Sequence, residues 1–152
     1  MLDLDEETWD RVVAVNLKGV WLCMKYEIRQ MRKQGGGVIV NNSSNDGLRG
    51  APLMGPYAAS KHGVIGLARA AALEYASQGI RINAVCPGWI RTPPVEQWMR
   101  DRPDAEARMI AEVPIGRFGT PEEVANAVVW LCSDSASYIT GQALVMDGGQ
   151  VV

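Results

Sequence analysis

Apolar residues recur as Trp9, Val12, Val13, Leu17, Val20, Trp21 and Met24, a spacing that keeps returning to one side of a helix. Asp5 stands ahead of this stripe as a cap, with Glu6 and Glu7 placed to meet the helix dipole. Gly35-Gly36-Gly37 closes the helix as a cap and turn, and Val38-Ile39-Val40 then opens a strand that runs to Ser44. From Asn45 to Pro56 the chain is rich in breakers, which predicts an irregular loop. Tyr57 to Ala76 predicts a helix; after Lys61 only Arg69 and Glu74 are charged, so it must be covered on two sides. Ser77-Gln78-Gly79 ends it, and Ile80–Val85 follows as a strand in which Arg81 and Asn83 alternate with apolar residues. That alternation predicts one face that is not fully buried.

The rest of the chain continues the alternation of element types. Pro94 to Val113 is charged, carries Trp98 and Met99 amid Arg100, Asp101 and Arg102, and reads as one or two short helices acting as a lid. Thr120-Pro121-Glu122-Glu123 combines a threonine cap, a proline in the first turn and a glutamate three residues on, a strong helix start. Val124, Val128 and Leu131 form that helix's core stripe, with Trp130 beside it. Gln142–Met146 is a last short strand, ended by Asp147-Gly148-Gly149. Strand, helix, strand, helix, strand implies an α/β fold with a parallel sheet and right-handed crossovers.

Composition narrows the class without changing that picture. A chain of 152 residues fits one domain, residues 1–152, with a core of useful size. A net charge of −2 leaves no basic footprint for nucleic acid, and no lysine and arginine run marks an anionic membrane partner. No stretch is long and apolar enough to span a bilayer, and the acidic N-terminus lacks a signal core, so a cytoplasmic setting is expected. Cys23, Cys86 and Cys132 are odd in number and lack paired metal-ligand spacing. They read as small buried hydrophobes in a reducing compartment.

The chemistry gathers at Tyr57-Ala58-Ala59-Ser60-Lys61. Residues four apart share one helix face, so the Tyr57 phenol and the Lys61 ammonium can occupy one small volume. A free phenol titrates near ~10, and a cation beside it moves it towards a useful range for proton transfer. Ser44 adds a neutral donor for a carbonyl or hydroxyl oxygen. An isolated pair of this kind also reads as a ring packed under a lysine stem. His62 reads as a helix-face residue, and the chemistry calls for no metal.

The order of segments decides between the two readings. Val38-Ile39-Val40-Asn41-Asn42-Ser43-Ser44, Gly47-Leu48-Arg49-Gly50, the Tyr57–Lys61 pair and Ile80-Arg81-Ile82-Asn83-Ala84-Val85-Cys86-Pro87-Gly88 follow one another from about Trp9 to Gly149. This order resembles the short-chain dehydrogenase/reductase family. The resemblance implies the C-terminal portion of a Rossmann-type fold, about three strands with flanking helices. It places Asn16, Ser44, Tyr57 and Lys61 on the family's catalytic tetrad, with Asn16 at a local bend that extends a proton relay from Lys61. It implies NAD or NADP as cofactor, with Tyr57, Lys61, Pro87, Gly88, Ile90 and Thr92 around the nicotinamide end, Ile90 through its backbone. Thr92 also reads as a loop hydroxyl bonding its own backbone. A small alcohol or ketone substrate and a homodimer or homotetramer complete the implied picture.

One family feature has no counterpart here. A pyrophosphate cradle needs glycines after a strand and before a helix. Gly35-Gly36-Gly37 comes after a helix and before a strand, so it is not that loop. The chain therefore reads either as part of a longer enzyme, the favoured expectation, or as a shortened assembly or regulatory chain without cofactor binding.

Overall fold

The computed structural model describes residues 1–100, 102 and 104–151. Asp101, within the expected lid, lies outside the described residues. Helix α1 (Glu6–Val13) starts where Asp5 accepts the Thr8 N–H at 2.6 Å, the cap its position predicts. The expected single helix is then interrupted by one π-helical turn, Ala14–Lys18, in which the Gly19 N–H reaches back to the Ala14 carbonyl. Helix α2 (Gly19–Gln34) continues to a left-handed cap at Gly35.

Strand β1 (Gly37–Asn42) leads into a short 3-10 turn, Asn45–Gly47, so the breaker-rich loop is not wholly irregular. Helix α3 (Gly55–Tyr75) begins before Tyr57, because Pro56 is welcome in a first turn whose N–H groups have no partner. Strand β2 (Ile80–Pro87), helices α4 (Pro93–Arg100), α5 (Ala105–Ala111) and α6 (Pro121–Cys132), and strand β3 (Ala143–Met146) follow. Thr120 and Glu123 close a reciprocal capping box at the start of α6.

The three strands are parallel in the order β1-β2-β3, with Gly37 opposite Ile80 and Ala84 opposite Ala143. This is the α/β, Rossmann-like arrangement expected. The main core joins Met24, Ile28, Ile39, Ile65, Ala68, Ile80 and Ile82. A second, smaller core of Met99, Ala105, Met109 and Phe118 holds α4 and α5 together beside the sheet.

Two expectations are corrected. Strand β2 has no wet face: Asn83 is fully buried, donates to the Ile139 carbonyl at 3.0 Å and accepts the Gln142 N–H at 3.0 Å. Arg81 likewise reaches the Ile139 and Ser133 carbonyls. The polar residues that mimic a half-wet strand instead satisfy the incoming loop before β3. Only Cys86 of the three cysteines is buried; Cys23 and Cys132 are exposed on α2 and α6.

Candidate active site

Parallel strands deliver their carboxyl ends to one side of the sheet, where ligands of open α/β folds bind. There β1, β2 and the start of α3 enclose a cleft of about 380 Å³. Ser44, Tyr57, Pro87, Gly88, Ile90 and Thr92 all line it. Six residues expected around one chemistry thus share one cavity.

Ser44 ends the β1 segment with extended backbone, and its Oγ accepts the Asp46 N–H at 3.1 Å. That turn fits against α3 because Gly47 has no side chain. A Cβ there would lie 2.9 Å from the Lys61 carbonyl oxygen. Ser43, one residue back, donates to the same carbonyl at 2.9 Å. The β1 end and α3 are therefore fastened at the level of Lys61.

Lys61 sends its Nζ to the Asn42 carbonyl at 3.0 Å, and the same Nζ lies 5.5 Å from the Tyr57 ring centroid. That distance is within reach of a cation–π interaction. Burial pushes the ammonium below the usual lysine range, with the nearby Cys86 thiol opposing the shift. The thiol itself is pushed up, chiefly by burial. Lys61 stands beside the cleft rather than in its lining.

Asn16 is half-buried in the π-helical turn, the local bend expected of it. That turn rests on α3, where Leu17 would stand 2.7 Å from a Cβ placed on Gly63. Among the described residues its side chain makes no hydrogen bond to Lys61 or Tyr57. The relay expected of Asn16 runs through water and needs no direct bond between them. His62 is exposed, its Nδ1 2.9 Å from the Ala58 carbonyl of its own helix.

The β2–α4 loop supplies backbone groups. Ile90 pairs with Gly119 as an isolated parallel bridge, in which Gly119 donates to the Trp89 carbonyl and Arg91 donates to the Gly119 carbonyl. Among the described residues the N–H and C=O of Ile90 itself have no partner, although Ile90 lines the cleft. Backbone groups seldom stay idle in a protected site.

A profile described as enoyl-(acyl carrier protein) reductase matches residues 1–150. The chain belongs to the short-chain dehydrogenase/reductase family. Among members of this family, cyclohexanol dehydrogenase of Acinetobacter sp. (strain SE19) is 49% identical over 146 residues, covering 96% of this chain and 56% of the relative. A-factor type gamma-butyrolactone 1'-reductase (1S-forming) of Streptomyces virginiae is 44% identical over 147 residues, covering 96% and 57%. The solved structure of ElxO with NADP bound superposes with a TM-score of 0.95 at 35% identity, covering 99% of this chain and 61% of that one. The chain thus spans less than two thirds of the length of these short-chain dehydrogenases and reductases.

Three contributors to the site were not legible in the sequence. The Asn42 carbonyl that receives Lys61 is a backbone group, which no residue pattern marks. Asn45 and Gln150 join by a 3.0 Å side-chain bond across 105 positions, a contact that only the folded sheet creates.

Proposed function

We propose that this chain carries the catalytic part, as one domain over residues 1–152, of an NAD(P)-dependent oxidoreductase. It acts between a nicotinamide cofactor and a small secondary alcohol or ketone. The observation that carries the reading is the cleft in which Ser44, Tyr57, Pro87, Gly88, Ile90 and Thr92 meet, with Lys61 bonded beside Tyr57.

The residues present fit a nicotinamide end. Ile90 offers an unpartnered N–H and C=O, a matching set for a carboxamide, which has both donor and acceptor. Thr92 offers a hydroxyl in the same cleft, and Pro87-Gly88 lines its wall. Lys61 spends one of three donors on Asn42, leaving two for ribose hydroxyls. The bound nicotinamide supplies the hydride acceptor or donor.

The protein's own work is proton transfer and charge stabilisation. In the oxidation direction Tyr57 takes the proton from the substrate hydroxyl, and in reduction it returns one to the carbonyl oxygen. Ser44 accepts the Asp46 N–H and donates to Asn45 Oδ1 only across a long 3.4 Å, so a substrate oxygen can draw that weakly held proton to itself and have its charge steadied. The Lys61 ammonium stabilises the Tyr57 oxygen when it is anionic. Asn16, on the turn packed against α3, connects Lys61 to solvent by way of water.

Assembly follows from the exposed apolar face of the same helices. Trp9, Val15, Trp21 and Leu73 are 41%, 67%, 44% and 87% exposed, an apolar surface suited to a second copy in a homodimer or homotetramer. No helix among the described residues is long and apolar enough to cross a membrane.

The test is to mix the purified protein with NAD or NADP and a panel of small secondary alcohols, and to follow the nicotinamide absorbance. Turnover that disappears in Tyr57→Phe supports the reading. Dinucleotide binding and turnover both absent would favour the other one, an assembly or regulatory chain.

A further inference from the structure

The last turn of the chain packs behind two residues that line the cleft, Gly88 and Asn45. Asp147 follows β3 and is 7% exposed. Its carboxylate accepts the Gly149 N–H at 2.9 Å and the Val151 N–H at 3.0 Å, which curls the chain back towards the strand ends. The curl carries Gln150 over Gly88. A Cβ on Gly88 would lie 2.5 Å from Gln150 Oε1 and 2.9 Å from Asp147 Cα, so only glycine allows this approach. The same Oε1 accepts from Asn45 Nδ2 at 3.0 Å. Asn45 is 4% exposed and directly follows Ser44, whose Oγ donates to Asn45 Oδ1 at 3.4 Å.

Three segments therefore meet at one amide: the Ser44 turn, the Gly88 wall and the chain's last turn. Gln150 Nε2 is buried and has no partner among the described residues. An amide that leaves a buried donor idle is disfavoured unless its other end is needed. Here the other end ties the Ser44 turn down.

We propose that Gln150 is a positioning residue: acting through Asn45 it fixes the turn that aims Ser44, and by its contact with Gly88 it sets the distance between Ser44 and the opposite wall. The Asp147 turn is the spring that presents it. This rests on the reading of the cleft as the hydride-transfer site, but the tether is a property of the fold and can be read without turnover.

The test compares Gln150→Met, Asn45→Ala and the double variant with the wild-type chain. Methionine keeps the volume and removes the acceptor. Amide hydrogen exchange should speed up about tenfold at Asp46 in each single variant, with Ile82 in β2 unchanged. The double variant should exchange no faster than Asn45→Ala, because that variant already removes the bond to Gln150. Wild-type protection of Asp46 in Gln150→Met, or effects that multiply in the double variant, would overturn the proposal. If Gln150→Met does not fold, Asn45→Ala reads the tether from its other end: the Gly149 and Val151 amides should lose protection, and their staying protected counts as refutation.

Turnover gives a second readout. Gln150→Met should lower kcat about tenfold while the cofactor KM changes less than about twofold, since Ser44 acts on the substrate oxygen and not on the cofactor. A KM increase with kcat intact would also overturn the positioning role. Were the wild-type chain inactive on every substrate, the hydride-transfer reading would fall, and the exchange experiment would still decide the tether.

Discussion

Lys61 Nζ donates to the carbonyl of Asn42 at 3.0 Å, so the ammonium is held by the end of β1 and not by its own helix. A side chain with four rotatable bonds is thereby fixed 5.5 Å from the Tyr57 ring. Lysine rotamer freedom is costly to remove, roughly 2 kcal/mol. A preformed bond removes it before substrate arrives. Lys61→Met should keep the α3 packing and lower turnover by at least about tenfold, since it deletes one charge-assisted contact to the reacting region. Circular dichroism and steady-state kinetics on the variant check both halves. Near-normal kcat with a native spectrum would remove Lys61 from the mechanism.

Tyr57→Phe is the sharper variant. The ring is half-buried, so its packing survives, while the hydroxyl proposed to move the proton is gone. Turnover should fall by about two orders of magnitude or more with the melting temperature little changed. Retention of wild-type kcat would mean that another group moves the proton.

How much of this was readable in advance depends on the kind of signal. The Asp5 cap and the Thr120–Glu123 capping box were legible because capping is local chemistry over four residues. The parallel sheet was legible because element order restricts topology. Asn83 misled, since a fully buried asparagine and a solvent-facing one leave the same letter between apolar neighbours. The π-helical turn at Asn16 breaks no residue pattern, and the bend there was expected only by resemblance. The Asn45–Gln150 bond needed two strand ends to be brought together. Signals within a turn could be read; partners across the sheet could not.

Glu123 gives a pH-dependent prediction. Its carboxylate bonds Arg117 at 2.7 and 2.9 Å and accepts the Thr120 N–H at 2.8 Å. Arg117 first, then the Thr120 N–H, lower its pKa from 4.5 to about 2. A carboxylate lowered in the folded state stabilises above its unfolded pKa and loses that contribution as pH falls through the folded one. Glu123→Gln keeps the capping geometry and removes the charge. Its melting temperature should lie below wild type at neutral pH, and the two should converge as pH falls from about 4.5 to about 2. A gap that persists unchanged at the acid end would mean that charge is not what Glu123 contributes.

The last prediction concerns cofactor affinity of the 152-residue polypeptide. The proposed fit to a dinucleotide rests on Tyr57, Lys61, Ile90 and Thr92, all assigned to the nicotinamide end. Among the described residues, no strand passes through a glycine-rich turn straight into a helix N-terminus, the arrangement that holds a pyrophosphate. The free edge of β1 points the same way: β1 pairs only with β2 among the described residues, and a groove lies between that edge and α2. A few hydrogen bonds at one end of a large, flexible ligand barely offset the freedom it loses on binding. The polypeptide should therefore bind NAD(H) and NADP(H) at millimolar concentration, on the order of −4 kcal/mol, with little preference between them. Calorimetric titration of monodisperse protein with each dinucleotide measures this directly. A micromolar constant would show that these residues hold the phosphates in a way that strand ends and helix termini do not reveal.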